Sequence, residues 1–476
     1  GGLSMSIATY QNIQIRPYQL KDLLDLKIIK RLNEHARLSF TGVIPVDKKD
    51  NYINETESQT QIEVNQIDDS GKTQPLFKGV VTQVQVRTVR DIYYLQVEAV
   101  SATYNLDIQV KSRSFQNINQ KYTDLINQVI ADYPGAAVND CVSRDATTNQ
   151  LIVQYLETDW QFLKRLAGHF YAPLIPASVF AEPKFYFGLP DGDTKGDLDN
   201  YHYSVKKKIG DYRCSTENFN QNLQETDFIY YQLETDHLFD LGDLITFKKR
   251  KLYVYEAITL MQQGIVKHNY LLTPQGGFSQ NPVHNPLLIG ASVQGQVIEV
   301  SKDKVRAHLE IDPEQAVETA YWFPYSSVYT AEGNSGWYCM PEIGDYIQVY
   351  FPDQEEKNAI ASSSVRKDAD DNENNKVGNP DIKYFRTKSG KELMFAPGEV
   401  LLSAKDGEIF IRLNDDDGIQ IFSKRGIQLI SKENLNIESQ KKVVVSAKEG
   451  INLTCKASNI KMDGATTIKG SKVKTN

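Results

Sequence analysis

The hydrophobic pattern is most regular between Gly418 and Asn476, where short apolar pairs recur every eight residues. The pairs are Ile419 and Ile421, Ile427 and Leu429, Leu435 and Ile437, Val443 and Val445, and Ile451 and Leu453. Because the members of a pair stand two residues apart, they lie on one face of a strand. After Leu453 the register slips by one residue, which predicts a bulge or a wider turn before Ile460, Met462 and Ile468 resume the pattern.

Each eight-residue unit has too little apolar surface to fold alone, because two or three inward side chains do not stabilise an isolated ribbon. Such units must stack, as in a β-helix or β-prism. A solitary helix with three sides of eight residues would need about 24 residues per coil, and this segment would supply few coils. We therefore favour an intertwined trimeric prism whose core holds the thirteen apolar residues named above. An antiparallel meander is the alternative.

Upstream, alternation of apolar and polar residues predicts a mainly β chain with two β-barrels. Leu20 to Leu32 has helical spacing and predicts a helix within the first barrel. Five short strands between Ile289 and Val365 predict an OB-type barrel. The predicted divisions are 1–4 (a cloning scar before Met5), 5–115 (first barrel), 116–180 (α/β insertion), 181–285 (second barrel), 286–365 (OB-fold), 366–381 (linker) and 382–476 (β-helix spike).

Two helices are predicted in the insertion. Tyr122 to Ile130 has apolar residues at helical spacing and ends before Pro134. The second begins with a capping box, in which Thr158 accepts from the amide of Gln161 and Gln161 bonds back, and it ends at Gly168.

The amino-acid composition and net charge argue against some classes of function. The chain has 476 residues, a net charge of -8, 40% hydrophobic and 24% charged residues, which is typical of a globular protein and argues against general nucleic-acid binding. Its four cysteines, at 141, 214, 339 and 455, are far apart and predict no disulfide. No signal peptide or transmembrane stretch is evident. We expect reduced thiols, synthesis in a cytosol and export by another machine.

The sequence signals for metal-binding or catalytic sites are weak. The run from Asp368 to Glu373 begins like a calcium loop but has Glu373 where the loop needs glycine. Asn414 to Gly418 reads as a turn, with a cation held between chains as the alternative. The seven histidines form no metal or nucleophile motif; they are His35, His169, His202, His237, His268, His284 and His308. We predict no enzyme activity, no cofactor and no metal.

Two motifs resemble one protein family. Glu157-Thr158-Asp159-Trp160-Gln161-Phe162-Leu163-Lys164-Arg165-Leu166-Ala167 resembles the helix motif of the VgrG and phage late-control D family, the baseplate hub and spike proteins of contractile injection systems. Gly336-Trp337-Tyr338-Cys339-Met340-Pro341-Glu342-Ile343-Gly344-Asp345 is similar to the OB-domain signature of that family. The ending with Thr467 to Gly470, Val473 and Asn476 resembles the closing repeat of its spikes.

This resemblance implies a homotrimer in which six barrels form a ring, the OB domains a collar, and the C-terminal strands a spike that pierces the target envelope. The implied partners are an inner tube protein at the hub end, other baseplate proteins, possible effector cargo, and a PAAR-type tip protein that would dock on Lys469, Gly470, Val473 and Asn476. Only a short linker separates collar from spike, so no lysozyme domain fits between them, and no effector domain is expected behind the spike. The assembled particle would carry the protein to the target.

Two other classes stay open. A trimeric tailspike or adhesin would bind carbohydrate and would need exposed aromatic residues on the prism, whereas the repeat has mainly Lys, Ser and Asn between its apolar positions. A glycan-degrading enzyme on a solitary β-helix is the third hypothesis, which screening against polysaccharides would test.

Overall fold

The computed structural model describes residues 7–199, 202–329, 335–364 and 378–474. The chain is mainly β and divides into two compact units, residues 1–368 and residues 369–476, which we call the N-terminal unit and the C-terminal unit. No helix in the described residues is long and apolar enough to cross a membrane. The run from Asp368 to Glu373, which begins like a calcium loop but lacks its glycine, lies outside the described residues.

The first β-rich region contributes six antiparallel strands to a twelve-stranded sheet, in the order β1-β4-β5-β6-β3-β2. They are β1 (Ile13–Arg16), β2 (Asp22–Arg31), β3 (Arg37–Ile44), β4 (Gln61–Ile67), β5 (Thr73–Val89) and β6 (Ile92–Ser101), with a short helix α1 (Asn51–Glu55) after β3. Their inward residues form one core around Phe40 and Phe77, both of which are fully buried.

The helix predicted over Leu20 to Leu32 is wrong, because this segment is strand β2. The pairing of β2 with β3 shifts register between Leu23 and Asp25. This bulge places Leu23 and Leu26 on the same buried face although they are three residues apart. From Leu26 onward the buried positions alternate, as in an ordinary strand. The bulge therefore imitated helical spacing.

The second β-rich region continues the same sheet, since β2 pairs antiparallel with the strand at Arg250–Gln262, β16. Its elements are β12 (Gly196–Leu198), β13 (Tyr203–Lys207), α4 (Ile209–Asn218), β14 (Ile229–Thr235), β15 (Leu244–Phe247), β16 (Arg250–Gln262) and β17 (Ile265–Thr273). A bridge between Thr9 and Ile265 joins the segment before β1 to β17, so the first region closes on the β16 and β17 hairpin. A second core forms around Phe247 and Leu272.

The insertion lies between these regions in sequence. It contains β7 (Val110–Phe115), α2 (Tyr122–Ile130), β8 (Ala137–Asp140), β9 (Ile152–Thr158), α3 (Asp159–Gly168), β10 (Leu174–Pro176) and β11 (Lys184–Phe187). Both predicted helices are confirmed. The Thr158 side chain accepts a hydrogen bond from the Gln161 amide and Gln161 bonds back to the Thr158 amide, which confirms the capping box. The strand at Lys184–Phe187 pairs with β8 and β10.

A five-stranded sheet follows in the order β20-β19-β18-β21-β22. Its strands are β18 (Ser292–Ser301), β19 (Lys304–Leu309), β20 (Phe323–Pro324), β21 (Tyr346–Tyr350) and β22 (Ile360–Ser364). Leu151, just before β9, and Val153, within β9, belong to the same buried core as this sheet. Insertion and sheet therefore share one hydrophobic interior.

The C-terminal unit begins with a five-stranded antiparallel meander, and a three-stranded one follows it later in the sequence. The strands are β23 (Lys383–Arg386), β24 (Glu392–Ala396), β25 (Glu399–Lys405), β26 (Ile409–Asn414), β27 (Gly418–Ser423), β28 (Ile451–Cys455), β29 (Ser458–Met462) and β30 (Thr466–Lys469). The register slip after Leu453 is a two-residue turn at Lys456 and Ala457, across which Cys455 pairs with Ser458. The predicted bulge or wider turn is therefore wrong, because β28 pairs with β29 residue by residue and a two-residue connection is a tight hairpin turn. Asn414 to Gly418 is also a turn, in which the Asn414 side chain accepts from the amides of Asp416 and Asp417.

Candidate functional site

The motif helix α3 is held by its tryptophan. Trp160 is 1% exposed and its indole N–H donates to the carbonyl oxygen of Asn33 at 3.0 Å. Its ring packs edge to face against Phe185 and lies 4.8 Å, centroid to centroid, from the ring of His35. One side chain thus joins the insertion to the loop after β2, which explains an aromatic residue at this place in the motif.

A carboxylate in the first turn of α3 collects four donors. Asp159 accepts hydrogen bonds from Lys111 at 2.7 Å, from Arg113 at 2.7 Å, from Tyr133 at 2.6 Å and from Gln154 at 2.9 Å. Burial alone would raise the pKa of Asp159, but these hydrogen bonds outweigh burial and lower it. Burial and the adjacent carboxylate raise the pKa of Tyr133 to about 12. Asp159 therefore stays ionised and ties α3 to β7 and β9.

A buried guanidinium at the other end of α3 joins the insertion to the five-stranded sheet. Arg165 donates to Glu157 at 2.5 Å, to Glu356 at 2.9 Å and to the carbonyl oxygen of Val153 at 2.7 Å. Arg165, Glu157 and Glu356 are all less than 8% exposed. Burial alone would lower the pKa of Arg165, but the two carboxylates raise it, so the group remains charged. A planar donor with several N–H groups suits this bridge.

Further polar contacts connect the insertion to the five-stranded sheet. Asp312 accepts from both the amide and the hydroxyl of Ser114. The Gln116 side chain donates to the carbonyl oxygen of Ala307 at 3.1 Å and accepts from the amide of Tyr321 at 3.0 Å. Through these contacts and the shared core, the motif helix α3 packs between the rest of the insertion and the five-stranded sheet. We call this packed region around α3 the joint.

In one cluster a hydroxyl, an imidazole and a carboxylate follow one another as in a catalytic triad, but the hydroxyl is not accessible to a substrate. The Thr103 hydroxyl lies 2.9 Å from His35 Nδ1, and His35 Nε2 lies 3.0 Å from the Asp107 carboxylate. Thr103 is 1% exposed, so no substrate reaches its hydroxyl. Asp107 also accepts from Thr158, the capping residue of α3, at 2.5 Å. The cluster positions the motif helix, and within the described residues no group of His, Cys, Asp and Glu has the arrangement of a metal site.

The eight-residue repeat is placed very differently. Eleven of its thirteen predicted core residues are large exposed side chains. They are Ile419, Ile421, Ile427, Leu429, Leu435, Ile437, Val443, Val445, Leu453, Met462 and Ile468. The other two, Ile451 and Ile460, are half-buried. Exposure reaches 74% at Ile419 and 70% at Ile437 and Val445. Within one chain, these residues therefore form no core.

The backbone of the repeat is also unpaired in its middle. Residues 425–450 contain no strand, and no backbone to backbone hydrogen bond joins them to another described residue. Of the predicted tip residues, Lys469 ends β30, and Gly470 and Val473 are exposed. Asn476 lies outside the described residues.

Sequence reasoning missed the joint around α3. The capping box predicted the helix, but the partners of Asp159 and Arg165 lie in β7, in β9 and in the segment after β21. One available signal was the presence of charged residues inside a helix that is otherwise apolar, since fully buried charges are nearly always paired.

Comparison with known proteins fits this architecture. Residues 57–169 match the family model of the phage tail baseplate hub (GPD). A search of curated protein sequences gave no match. The E. coli c3393 protein, described as a type VI secretion system component with structural similarity to T4 tail proteins gp27 and gp5, superimposes with a TM-score of 0.52 at 12% identity, over 74% of this chain and 99% of its own.

Two structures of the PdpA-VgrG complex give a TM-score of 0.55 at 9% identity. The half-lidded Francisella complex covers 86% of this chain and 87% of its own, and the lidless form covers 86% and 97%. The residues matched by the family model include the helix motif from which the resemblance was predicted, and the solved structures show that the fold of this chain is similar to theirs.

Proposed function

We propose that this chain forms the homotrimeric hub and central spike of a contractile injection system, which joins the inner tube to a tip protein and pierces the target envelope. The observation that carries the proposal is the eight-residue repeat, whose regularly spaced apolar side chains remain exposed in one chain. Exposed apolar surface of this extent marks an interaction site.

Identical copies are the partner that suits such a repeat best. Every unit has the same spacing, so every unit needs the same partner surface, and strands from two further copies supply it at each level. The unpaired backbone of residues 425–450 would then gain strand partners from those copies. An intertwined prism resists bending and local opening, which a piercing element requires.

The upstream sheets provide the docking ends. Two β-rich regions per chain would give six in a trimer, the number that matches a hexameric tube, and the five-stranded sheet would form the collar as an OB-fold. A PAAR-type tip would dock at Lys469, Gly470, Val473 and Asn476. Other baseplate proteins and effector cargo complete the proposed partners, with assembly in the bacterial cytoplasm and delivery to the target envelope. The complexes of VgrG with PdpA support a role in larger assemblies.

The test is the mass of the purified chain by light scattering. We expect about three times the chain mass of 53.9 kDa. Replacing Ile427 and Leu429 with Asp should prevent a stable trimeric spike, because charges would be buried without partners. The matched control is Gln428→Asp, which adds a charge on the opposite face and should leave the trimer intact. A monomeric parent protein would overturn the proposal.

Deletion of residues 383–476 separates the roles of the two units in a particle. We expect a particle that carries the truncated chain to assemble its hub but to lose delivery. Delivery that persists without these residues would contradict a piercing role.

A further inference from the structure

A cavity of about 410 Å³ lies between the motif helix α3 and residues 280–287, the segment that follows β17. Its wall includes Leu156, Gln161, Lys164, Val283 and Leu287, and we call it the α3 cavity. The volume falls within the range of roughly 300–1,000 Å³ that is usual for sites that bind small organic ligands. All of its wall belongs to the N-terminal unit of a single chain.

Hydrogen bonds hold the wall of the cavity in place. The Asn285 side chain donates to the carbonyl oxygen of Tyr155 at 2.6 Å and accepts from the amide of Leu287 at 3.0 Å. The Asn33 side chain donates to the Gln280 side chain at 3.1 Å. Because these bonds fix the segment against the insertion and the loop after β2, a ligand would enter a preformed site at a low entropic cost.

Leu156 contributes an apolar side chain to the cavity from an unfavourable backbone conformation. Its φ is +47°, in the left-handed region that glycine adopts freely and leucine seldom does. The pairing of β9 with β7 shifts register at this point, and a bulge of this kind redirects a side chain. The Leu156 side chain is 50% exposed, so burial within the chain does not explain a leucine here. A ligand in the cavity would cover it.

The exposed part of the wall favours an aliphatic ligand. Val283 is 59% exposed and Leu287 is 56% exposed, and both lie on the segment that faces α3. A nucleobase is usually held by stacking on an aromatic ring, and the described residues that line the cavity include none.

Two donors on α3 remain available to a ligand. Gln161 and Lys164 stand three residues apart and therefore lie on the same side of the helix. Gln161 Oε1 accepts from the Thr158 amide, whereas Gln161 Nε2 has no partner among the described residues. Lys164 forms no salt bridge within the same part of the chain. The carboxylate that its charge influences, Asp107, is bonded to His35 and Thr158 instead.

The remaining charges of the wall are already matched. Glu157 and Arg165 also line the cavity, but they form a buried ion pair with each other. Lys164 is thus the cation of the wall that has its charge to offer, next to an amide donor and opposite an aliphatic surface. A carboxylate is the group that such a pair of donors binds most strongly.

We propose that the α3 cavity binds an aliphatic carboxylate. Its oxygens accept hydrogen bonds from Lys164 and from Gln161 Nε2, and its hydrocarbon part covers Leu156, Val283 and Leu287. Two sources present this chemistry: a medium-chain fatty acid, and the C-terminus of a polypeptide that ends in leucine. The site is formed by one chain, so the inference goes beyond the proposed function and does not depend on the trimer.

The test is calorimetric titration of the full-length protein with octanoate and with a tripeptide that ends in leucine. The matched uncharged probes are octanol and the same tripeptide with an amidated C-terminus. We expect one site per chain and affinity for a carboxylate about tenfold or more above that for its uncharged match. The tighter of the two carboxylates identifies the source. If neither carboxylate binds at millimolar concentration, the inference is overturned and the proposed function still stands.

Lys164→Met keeps most of the aliphatic stem and removes the charge. It should weaken binding of the carboxylate probe about tenfold and leave the uncharged probe unaffected. The control is Lys72→Met, at an exposed lysine that does not line the cavity, which should change neither affinity. Carboxylate binding that is as tight in Lys164→Met as in the parent protein would contradict the proposed site.

Leu156→Gly separates binding from folding. Glycine suits the backbone at this position, so the variant should unfold at no lower temperature than the parent protein. We expect it to bind octanoate several-fold more weakly, because the hydrocarbon loses part of its contact surface. A variant that is less stable but binds octanoate as tightly as the parent would show that Leu156 serves the fold alone and would overturn its role in the cavity.

Discussion

The two units of this chain satisfy their apolar residues in opposite ways. In the N-terminal unit, Trp160, Phe40 and Phe323 are nearly inaccessible, and even the buried charges of Arg165 and Asp159 are paired with opposite charges. In the C-terminal unit, the strands are as regular in sequence but most apolar side chains remain exposed. Sequence regularity therefore does not by itself produce a core. We infer that the first unit is stabilised within one chain and the second by other copies.

The strongest test of the first half of this comparison is Trp160→Ala. Truncating a fully buried tryptophan costs about 3–5 kcal/mol, and here the hydrogen bond to Asn33 is lost as well. We expect a large shift of the unfolding transition of the N-terminal unit in guanidinium. Val46→Ala, at a residue that is 54% exposed, is the control and should change little. Equal shifts for both variants would contradict the assignment of Trp160 to the core.

Arg165→Met tests whether the joint depends on its charge. Removing one partner of a buried ion pair costs about 3–5 kcal/mol, because Glu157 and Glu356 are left without a cation. The matched control is Arg213→Met, since Arg213 forms an exposed pair with Glu217 within α4. There we expect less than about 1 kcal/mol. The same denaturation measurement serves both variants, and a loss at Arg165 no larger than at Arg213 would mean that the pair is not needed.

Acid should weaken the N-terminal unit through His268. This residue is 1% exposed, lies 2.9 Å from the Thr259 hydroxyl and 3.2 Å from the Gln66 side chain, and burial, with Lys30 nearby, lowers its pKa from 6.5 to about 4. Between pH 6.5 and 4, His268 binds a proton in the unfolded chain but not in the folded chain. Its contribution to the free energy of unfolding is therefore fully present above pH 6.5 and is lost as the pH falls. At 1.36 kcal/mol per pKa unit, the loss by pH 4 is about 3 kcal/mol.

His268→Gln should remove this part of the pH dependence, because glutamine does not titrate. The control is His202→Gln at an exposed histidine, which should leave the slope between pH 7 and 4 unchanged. The measurement is the free energy of unfolding of the N-terminal unit across this range. An unaltered slope in the His268 variant would show that other groups dominate.

The elements of the fold also differ in how well the sequence predicts them. The capping box at Thr158 and the helix from Tyr122 were predictable because their signals lie within a few residues. Strand β2 was not, because a bulge disguised its period. Its pairing with β16 and the bridge from Arg165 to Glu356 join segments about two hundred residues apart, and no local pattern specifies such partners. The helix motif lies within the residues that the family model matches, but the contacts that hold the motif were not predicted.

Ile437→Ser is the variant with the smallest expected effect on the single chain. It tests whether other copies stabilise the C-terminal unit. Ile437 is 70% exposed, so Ile437→Ser should change the free energy of unfolding of either unit in a dilute monomer by less than about 0.5 kcal/mol. The neighbouring Asn436→Ser, on the opposite face, is the control. In the proposed trimer, Ile437→Ser should lower the thermal stability of the C-terminal unit more than Asn436→Ser does, because three isoleucines would lose buried surface together. If Ile437→Ser destabilised the monomer by the 1–3 kcal/mol typical of a core position, the repeat would bury this face within its own chain, as a solitary β-helix does.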